Sequence, residues 1–356
     1  MRNLRFDESM NPSLIFTVDT EPDDQWASAL ADGSLPPFTF RNTRGLGRLK
    51  DFFRGHDVPV TWMTSYSIAR DRESARVLRA AAAEGDEIAG HLHGWETPPF
   101  AGFDRFSRPF IGEYTPDVRF AKHRSLLAAH EDAFDARPVS YRAGRWAIDS
   151  IELQHLAELG YQIDSSVPPG IDFRDRSGLK LPGPDFRPYL RRDRFHPHRV
   201  GPLWEVPASI APIGLLGGAE GSLAIARAAG RRDQGVSLTH AVAPVLRRTL
   251  AALRLQELVW VRPLKHPRAQ LVRATRALLR RGVPVVNVMF HSSEAFVGTS
   301  PLSRHAEDVE RLYSDLEAII ACARSHGAVA RTLHDAVSAL TSAQPLNEAT
   351  RLHHPT

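Results

Sequence analysis

Carboxylates, imidazoles and a guanidinium recur in this chain where short apolar runs end. The run 14–18 ends at Asp19, with Glu21 two positions on, and 87–90 ends at His91, with His93 two positions on. Runs 138–141, 161–163 and 283–290 end at Arg142, Asp164 and His291. Side chains two apart on an extended segment face the same side. Asp19 with Glu21, and His91 with His93, can therefore each turn two donors toward one point. Two carboxylates so close repel unless a cation sits between or beside them. Imidazole nitrogen with carboxylate oxygen suits Zn²⁺ or a similar divalent metal, and three protein ligands leave a position for water. Such a metal lowers the pKa of its water to about 7. The chemistry indicated is hydrolysis, with one carboxylate as metal ligand and the other as general base.

The remaining groups fit that chemistry. Arg142 can hold a carboxylate in place and keep it ionised. Arg145 and Trp146 follow it over the rim, where an indole face offers a platform for a sugar ring. Asp164 is placed to orient a histidine across the mouth, and His291 to protonate a leaving group; a carboxylate partner would fix the tautomer of such a histidine. Each residue also has a plainer reading: a solvated loop pair for Asp19 and Glu21, packing for Trp146, a rim salt bridge for Asp164 and His291. Ser292 and Ser293 invite a serine nucleophile, but no Gly-x-Ser-x-Gly elbow surrounds them.

These ends must be gathered by a sheet. Apolar β-like runs at 14–18, 58–63, 87–92, 138–141, 161–163, 203–207 and 283–290 alternate with amphipathic helices, and 328–332 reads as a last short strand. Helices are expected over 46–53, 72–84, 117–134, 149–159 with Asp149 as N-cap, 241–253, 269–281 and 307–325. Strand–helix alternation predicts a parallel sheet covered by helices, whose chemistry sits at the carboxyl ends of the strands. The stretch 168–268 is expected to be a long insertion within one domain spanning 1–345, and 346–356 a disordered tail.

The 356 residues are 42% hydrophobic and 24% charged, ordinary for a globular chain with a real core. Basic residues exceed acidic ones only by 45 to 41, and the arginine clusters are scattered, which argues against a nucleic-acid partner. A single cysteine excludes an intramolecular disulfide and a cysteine zinc site. No apolar run spans a bilayer and residues 1–13 lack a signal-peptide core, so a cytoplasmic enzyme is the default expectation.

In this order the segments resemble the polysaccharide deacetylases, the NodB-homology carbohydrate esterases, in the divergent branch associated with lipopolysaccharide and exopolysaccharide biosynthesis. The resemblance covers about 12–340 and rests on short motifs. It implies a distorted (β/α) barrel of about seven strands and metal-dependent removal of an N-acetyl group from a saccharide. Asp19 is then the general base, braced by Arg142, and Glu21 and His91 are metal ligands. The family's second histidine lies four residues after the first, where this chain has Trp95; His93 is expected to replace it, with Glu96 in reserve. Trp95, Arg145 and Trp146 would touch the substrate, and Asp164 and His291 match the later motifs. Two other readings stand beside this one: hydrolysis of a small cyclic amide on the same fold, and a saccharide-binding protein without catalysis.

Overall fold

The computed structural model describes residues 11–23, 37–100, 110–174, 183–191, 195–214 and 257–342. The expected helix at 241–253, the tail at 346–356 and parts of 168–268 lie outside these residues. Eleven strands are described: β1 (Ser13–Thr20), β2 (Val60–Ser65), β3 (Glu87–Leu92), β4 (Ser140–Ala143), β5 (Ile163–Asp164), β6 (His198–Val200), β7 (Leu203–Glu205), β8 (Ile210–Ile213), β9 (Glu257–Trp260), β10 (Val285–His291) and β11 (Val329–Ala330). The main sheet runs β10-β1-β2-β3-β4-β5-β7-β6, with β11 also paired to β1. Its pairings are parallel except β6 with β7, and β8 and β9 form a separate antiparallel pair. The sheet curls into a half-barrel. The chain leaving β7 returns to β10, where Ser209 N donates to Asn287 O at 3.0 Å and Asn287 N donates to Ser209 Oγ at 2.8 Å.

Period-two patterning explains the wall. On β1, Leu14, Phe16 and Val18 join an outer core with Leu49 and Phe53 of the helix Gly47–Gly55, and with Leu271 and Leu312 of the helices Arg268–Arg280 and Ala306–Arg324. The alternate residues Ile15, Thr17 and Asp19 point into the barrel. The same inward row on β10 is Val285, Asn287, Met289 and His291. Each row begins apolar: Ile15, Ala89 and Val285 pack with Leu333, Ala336 and Leu340 of the helix Leu333–Ser342. It then becomes polar at the middle and ends on chemistry at the mouth. The apolar half supplies burial at about 25 cal/mol per Å², which offsets the cost of enclosing the polar half.

Most elements lie within a residue or two of their expected positions, and Asp149 caps the helix Ser150–Glu158 through bonds from the N–H groups of Ile151 and Glu152. The strand expected at 58–63 forms two residues later, at Val60–Ser65. Elements not foreseen include β6, β8, β9, the helix Leu333–Ser342 and the short helices Arg41–Arg44, Tyr66–Arg70 and Arg187–Arg191. β7 supplies barrel wall from within the stretch read as an insertion. Among the described residues no helix is long and apolar enough to cross a membrane.

Candidate active site and metal centre

β1 delivers Asp19 to the mouth, and the chain after it delivers Glu21, whose carbonyl accepts from Asn42 Nδ2 at 2.9 Å. Asn42 also accepts from Ser292 Oγ at 2.6 Å, so one buried amide ties the Glu21 segment to the turn after β10. β3 and the residue following it bring His91 and His93 to the same carboxylate. Glu21 Oε1 lies 2.8 Å from His91 Nε2 and 2.7 Å from His93 Nε2, and the two nitrogens are 3.1 Å apart. All three side chains are buried.

The protonation states bear on whether a cation fits here. His91 Nδ1 lies 2.9 Å from the Arg142 carbonyl, an acceptor only, so Nδ1 carries the hydrogen. In neutral His91 the bare Nε2 then aims its lone pair at the Glu21 oxygen, an arrangement that calls for a positive charge between or on them. Burial would lower His91, but Asp19 and the bond to Glu21 outweigh it and raise its pKa. Burial pushes His93 down to about 4, leaving a neutral imidazole at pH 7. Burial would raise Glu21, yet His93 and His91 hold it well below the usual carboxylate range. An anionic oxygen and two convergent imidazole nitrogens are a donor set that fits a divalent metal. Glycine at 144 is required for this packing: a Cβ there would collide with His93 Nδ1 and the Leu92 carbonyl.

Behind this cluster Arg142 is fully buried and donates four bonds. Nη1 reaches Asp19 Oδ1 at 2.6 Å, Nη2 reaches Thr17 Oγ1 at 2.7 Å and Ser165 Oγ at 3.0 Å, and Nε reaches the Ser165 carbonyl at 2.9 Å. Asn287 completes the lattice, accepting from Thr17 Oγ1 at 2.8 Å and donating to Ser165 Oγ at 3.0 Å. The expected partnership of Arg142 with Asp19 is thus present. On the far side of Asp19, His291 Nε2 stands 3.9 Å from Asp19 Oδ2.

The geometry corrects one expectation. Asp164 does not orient His291. β5 lies beside β4 and β7, away from β10, and the register sets Asp164 against Glu205 of β7. Asp164 accepts from Ser166 Oγ and shares a hydrogen bond with Glu205. Burial raises both carboxyls, and the charge of Asp164 beside it raises Glu205 further. The carboxylate on His291 is instead Glu294, whose Oε1 lies 2.9 Å from Nδ1 and also accepts from Arg262 Nη2 at 2.5 Å. Glu294 sits three residues after His291 in the string His-Ser-Ser-Glu, a signal that could have been read. Arg262 follows β9 and carried no local signal.

A narrow cavity of about 80 Å³ connects these groups, and Asp19, Glu21, His91, His93 and His291 line it. Trp95, Arg145 and Trp146 line it as well, so all three residues expected at the substrate stand at its wall. The Arg145 guanidinium lies over the Trp95 ring at 5.2 Å and Arg142 lies over Trp146 at 5.1 Å. Glu96 turns elsewhere, into a neighbouring groove of about 400 Å³ shared with Phe40, Tyr66, Arg70 and Phe100. Of the two candidates for the missing histidine, His93 is the one beside Glu21.

Solved structures of similar fold include a protein described as a polysaccharide deacetylase from Mycobacterium smegmatis, 15% identical with a TM-score of 0.50, covering 98% of this chain and 97% of that one. The chitin deacetylase of Colletotrichum lindemuthianum is 14% identical with a TM-score of 0.42, covering 92% of this chain and 88% of that one. A CE4 family pseudoenzyme from Bacillus anthracis is 8% identical with a TM-score of 0.43, covering 92% of this chain and 66% of that one. No protein-family model and no curated protein matches the sequence. The chain thus has a distorted parallel-sheet barrel, similar in fold to that of the Mycobacterium smegmatis protein, with a buried His/Glu/Asp cluster at its mouth.

Proposed function

We propose that this chain hydrolyses an N-acetyl group on a saccharide, using a divalent metal, Zn²⁺ by its donor set, held by Glu21, His91 and His93. One observation carries the reading: a carboxylate braced by a buried arginine stands between a three-donor cluster and a second imidazole, all facing one cavity. When bound, the metal supplies Lewis-acid polarisation of the acetamide oxygen and of a water. Asp19 takes the proton of the water that attacks the carbonyl carbon. Arg142 holds that carboxylate in place before the attack. As the C–N bond breaks, His291 gives a proton from Nε2 to the departing amine, and acetate is released.

We place the acetamide and a water in this narrow cavity. The sugar then rests outside on Trp95 and Trp146, with Arg145 beside it. On the resemblance of its motifs, we further propose that this saccharide belongs to lipopolysaccharide or exopolysaccharide biosynthesis. The same narrowness also supports a second reading, a small cyclic amide as substrate.

Acetate release from penta-N-acetylchitopentaose and from N-acetylated lipopolysaccharide fragments tests the proposal. Metal-loaded protein is expected to release acetate, and chelation and Asp19→Asn each to abolish it. Ring opening of hydantoin or dihydrouracil without acetate release would favour the second reading; turnover insensitive to chelation would overturn the metal role.

A further inference from the structure

We infer that Glu294, itself held by Arg262, is a positioning residue that fixes the tautomer and direction of His291, taking the part that Asp164 was expected to play. The inference rests on the deacetylase reading, and it adds two residues that motif matching leaves out. Glu294 is 1% exposed, in the turn Ser292–Ala295, and its Oε1 receives both His291 Nδ1 at 2.9 Å and Arg262 Nη2 at 2.5 Å. Arg262 Nη2 is also 3.1 Å from His291 Nδ1.

Two arrangements are open to that nitrogen. If Nδ1 carries the hydrogen, it donates to Glu294; if it is bare, it accepts from Arg262, which can only donate. An ionised buried carboxylate between two donors favours the first. Burial would raise Glu294, but Arg262 and His291 overcome it and hold the carboxyl below its usual range. With the hydrogen on Nδ1, the bare Nε2 faces Asp19 Oδ2 across 3.9 Å. A proton taken there is the one delivered to a leaving amine, and its positive charge is shared with Glu294. Arg262 enters from the residues after β9, so the β8–β9 pair is tied directly to the acid.

Histidine-selective ¹⁵N NMR on the full chain tests this, with His291→Gln assigning the resonance. The parent is expected to show Nδ1–H with Nε2 bare. Glu294→Leu leaves Nδ1 facing Arg262 and is expected to move the proton to Nε2. Arg262→Met retains Glu294 and is expected to leave the tautomer as it is. On penta-N-acetylchitopentaose, Glu294→Leu is expected to lower kcat about 10²-fold with little change in KM. A parent with Nε2–H, an unchanged tautomer in Glu294→Leu, or a switched one in Arg262→Met would each overturn the role of Glu294. Because the tautomer is read without turnover, a correct tautomer pattern with no acetate release would count against the deacetylase reading alone. Acetate release with a failed tautomer pattern would count against the role of Glu294 alone.

Discussion

Arg142→Met removes the guanidinium that faces Asp19 from inside the barrel. Both partners are buried, 0% exposed for the guanidinium and 4% for the carboxylate, and the pair is made at 2.6 Å. Besides Asp19, the variant strips donors from Thr17 Oγ1, Ser165 Oγ and the Ser165 carbonyl. Breaking a buried pair by removing one partner costs about 3–5 kcal/mol, because the other charge stays behind. Orphaned neutral acceptors push the loss to the upper end of that range. A chain with a typical stability of about 5–15 kcal/mol survives it. Urea unfolding at pH 7, followed by far-ultraviolet circular dichroism and by tryptophan fluorescence, gives the loss at constant m. Asp19→Asn in the same background removes the stranded charge, so the double variant is expected to lose about 2–3 kcal/mol less than the sum of the singles. A single-variant loss below about 1 kcal/mol, or strict additivity, would refute the brace.

Three further outcomes follow from other contacts. Gly144→Ala is expected to displace His93 and weaken metal affinity at least about tenfold, as losses around metal ligands do, with the fold retained by circular dichroism. Lys122→Met deprives the carbonyls of Gly94, Thr97 and Pro99 of their shared ammonium donor, each bond being 2.7–2.8 Å; a loss of about 2–4 kcal/mol in urea unfolding and a looser chain after His93 are expected. Burial pushes His130 from 6.5 down to about 4 while its Nε2 donates to the Thr64 carbonyl. The folded state therefore binds fewer protons here than the unfolded one. Its contribution is complete above about pH 6.5 and falls as the pH drops toward 4, by about 3 kcal/mol in all. His130→Gln should lack that slope, so the difference between the two proteins' urea midpoints should change between about pH 6.5 and 4; parallel pH profiles would contradict it.

The sequence was most legible where one strand carries its own signal. On β1 and β10, outward apolar residues alternate with an inward row ending on Asp19 and His291, and the period alone indicates which side chains meet. His91 and His93 were legible for the same reason. What could not be read depends on which strands become neighbours. Asp164 faces Glu205 because β5 lies beside β7, and no local pattern says so. Asn287 sits in an apolar run and became visible as a lattice member only when Thr17, Ser165 and Arg142 closed around it. β8 and β9 pair across a long separation in sequence, so Arg262 had no motif to announce it. The polar edge strand β6 lacks the burial that makes a strand recognisable.

Metal content per chain tests the central claim most directly. Protein purified and dialysed with Zn²⁺ is expected to hold one equivalent, while Glu21→Gln, His91→Ala and His93→Ala each lose most of it and Asp164→Asn keeps it. Equal metal in the parent and all three ligand variants, measured on folded protein, would contradict the site.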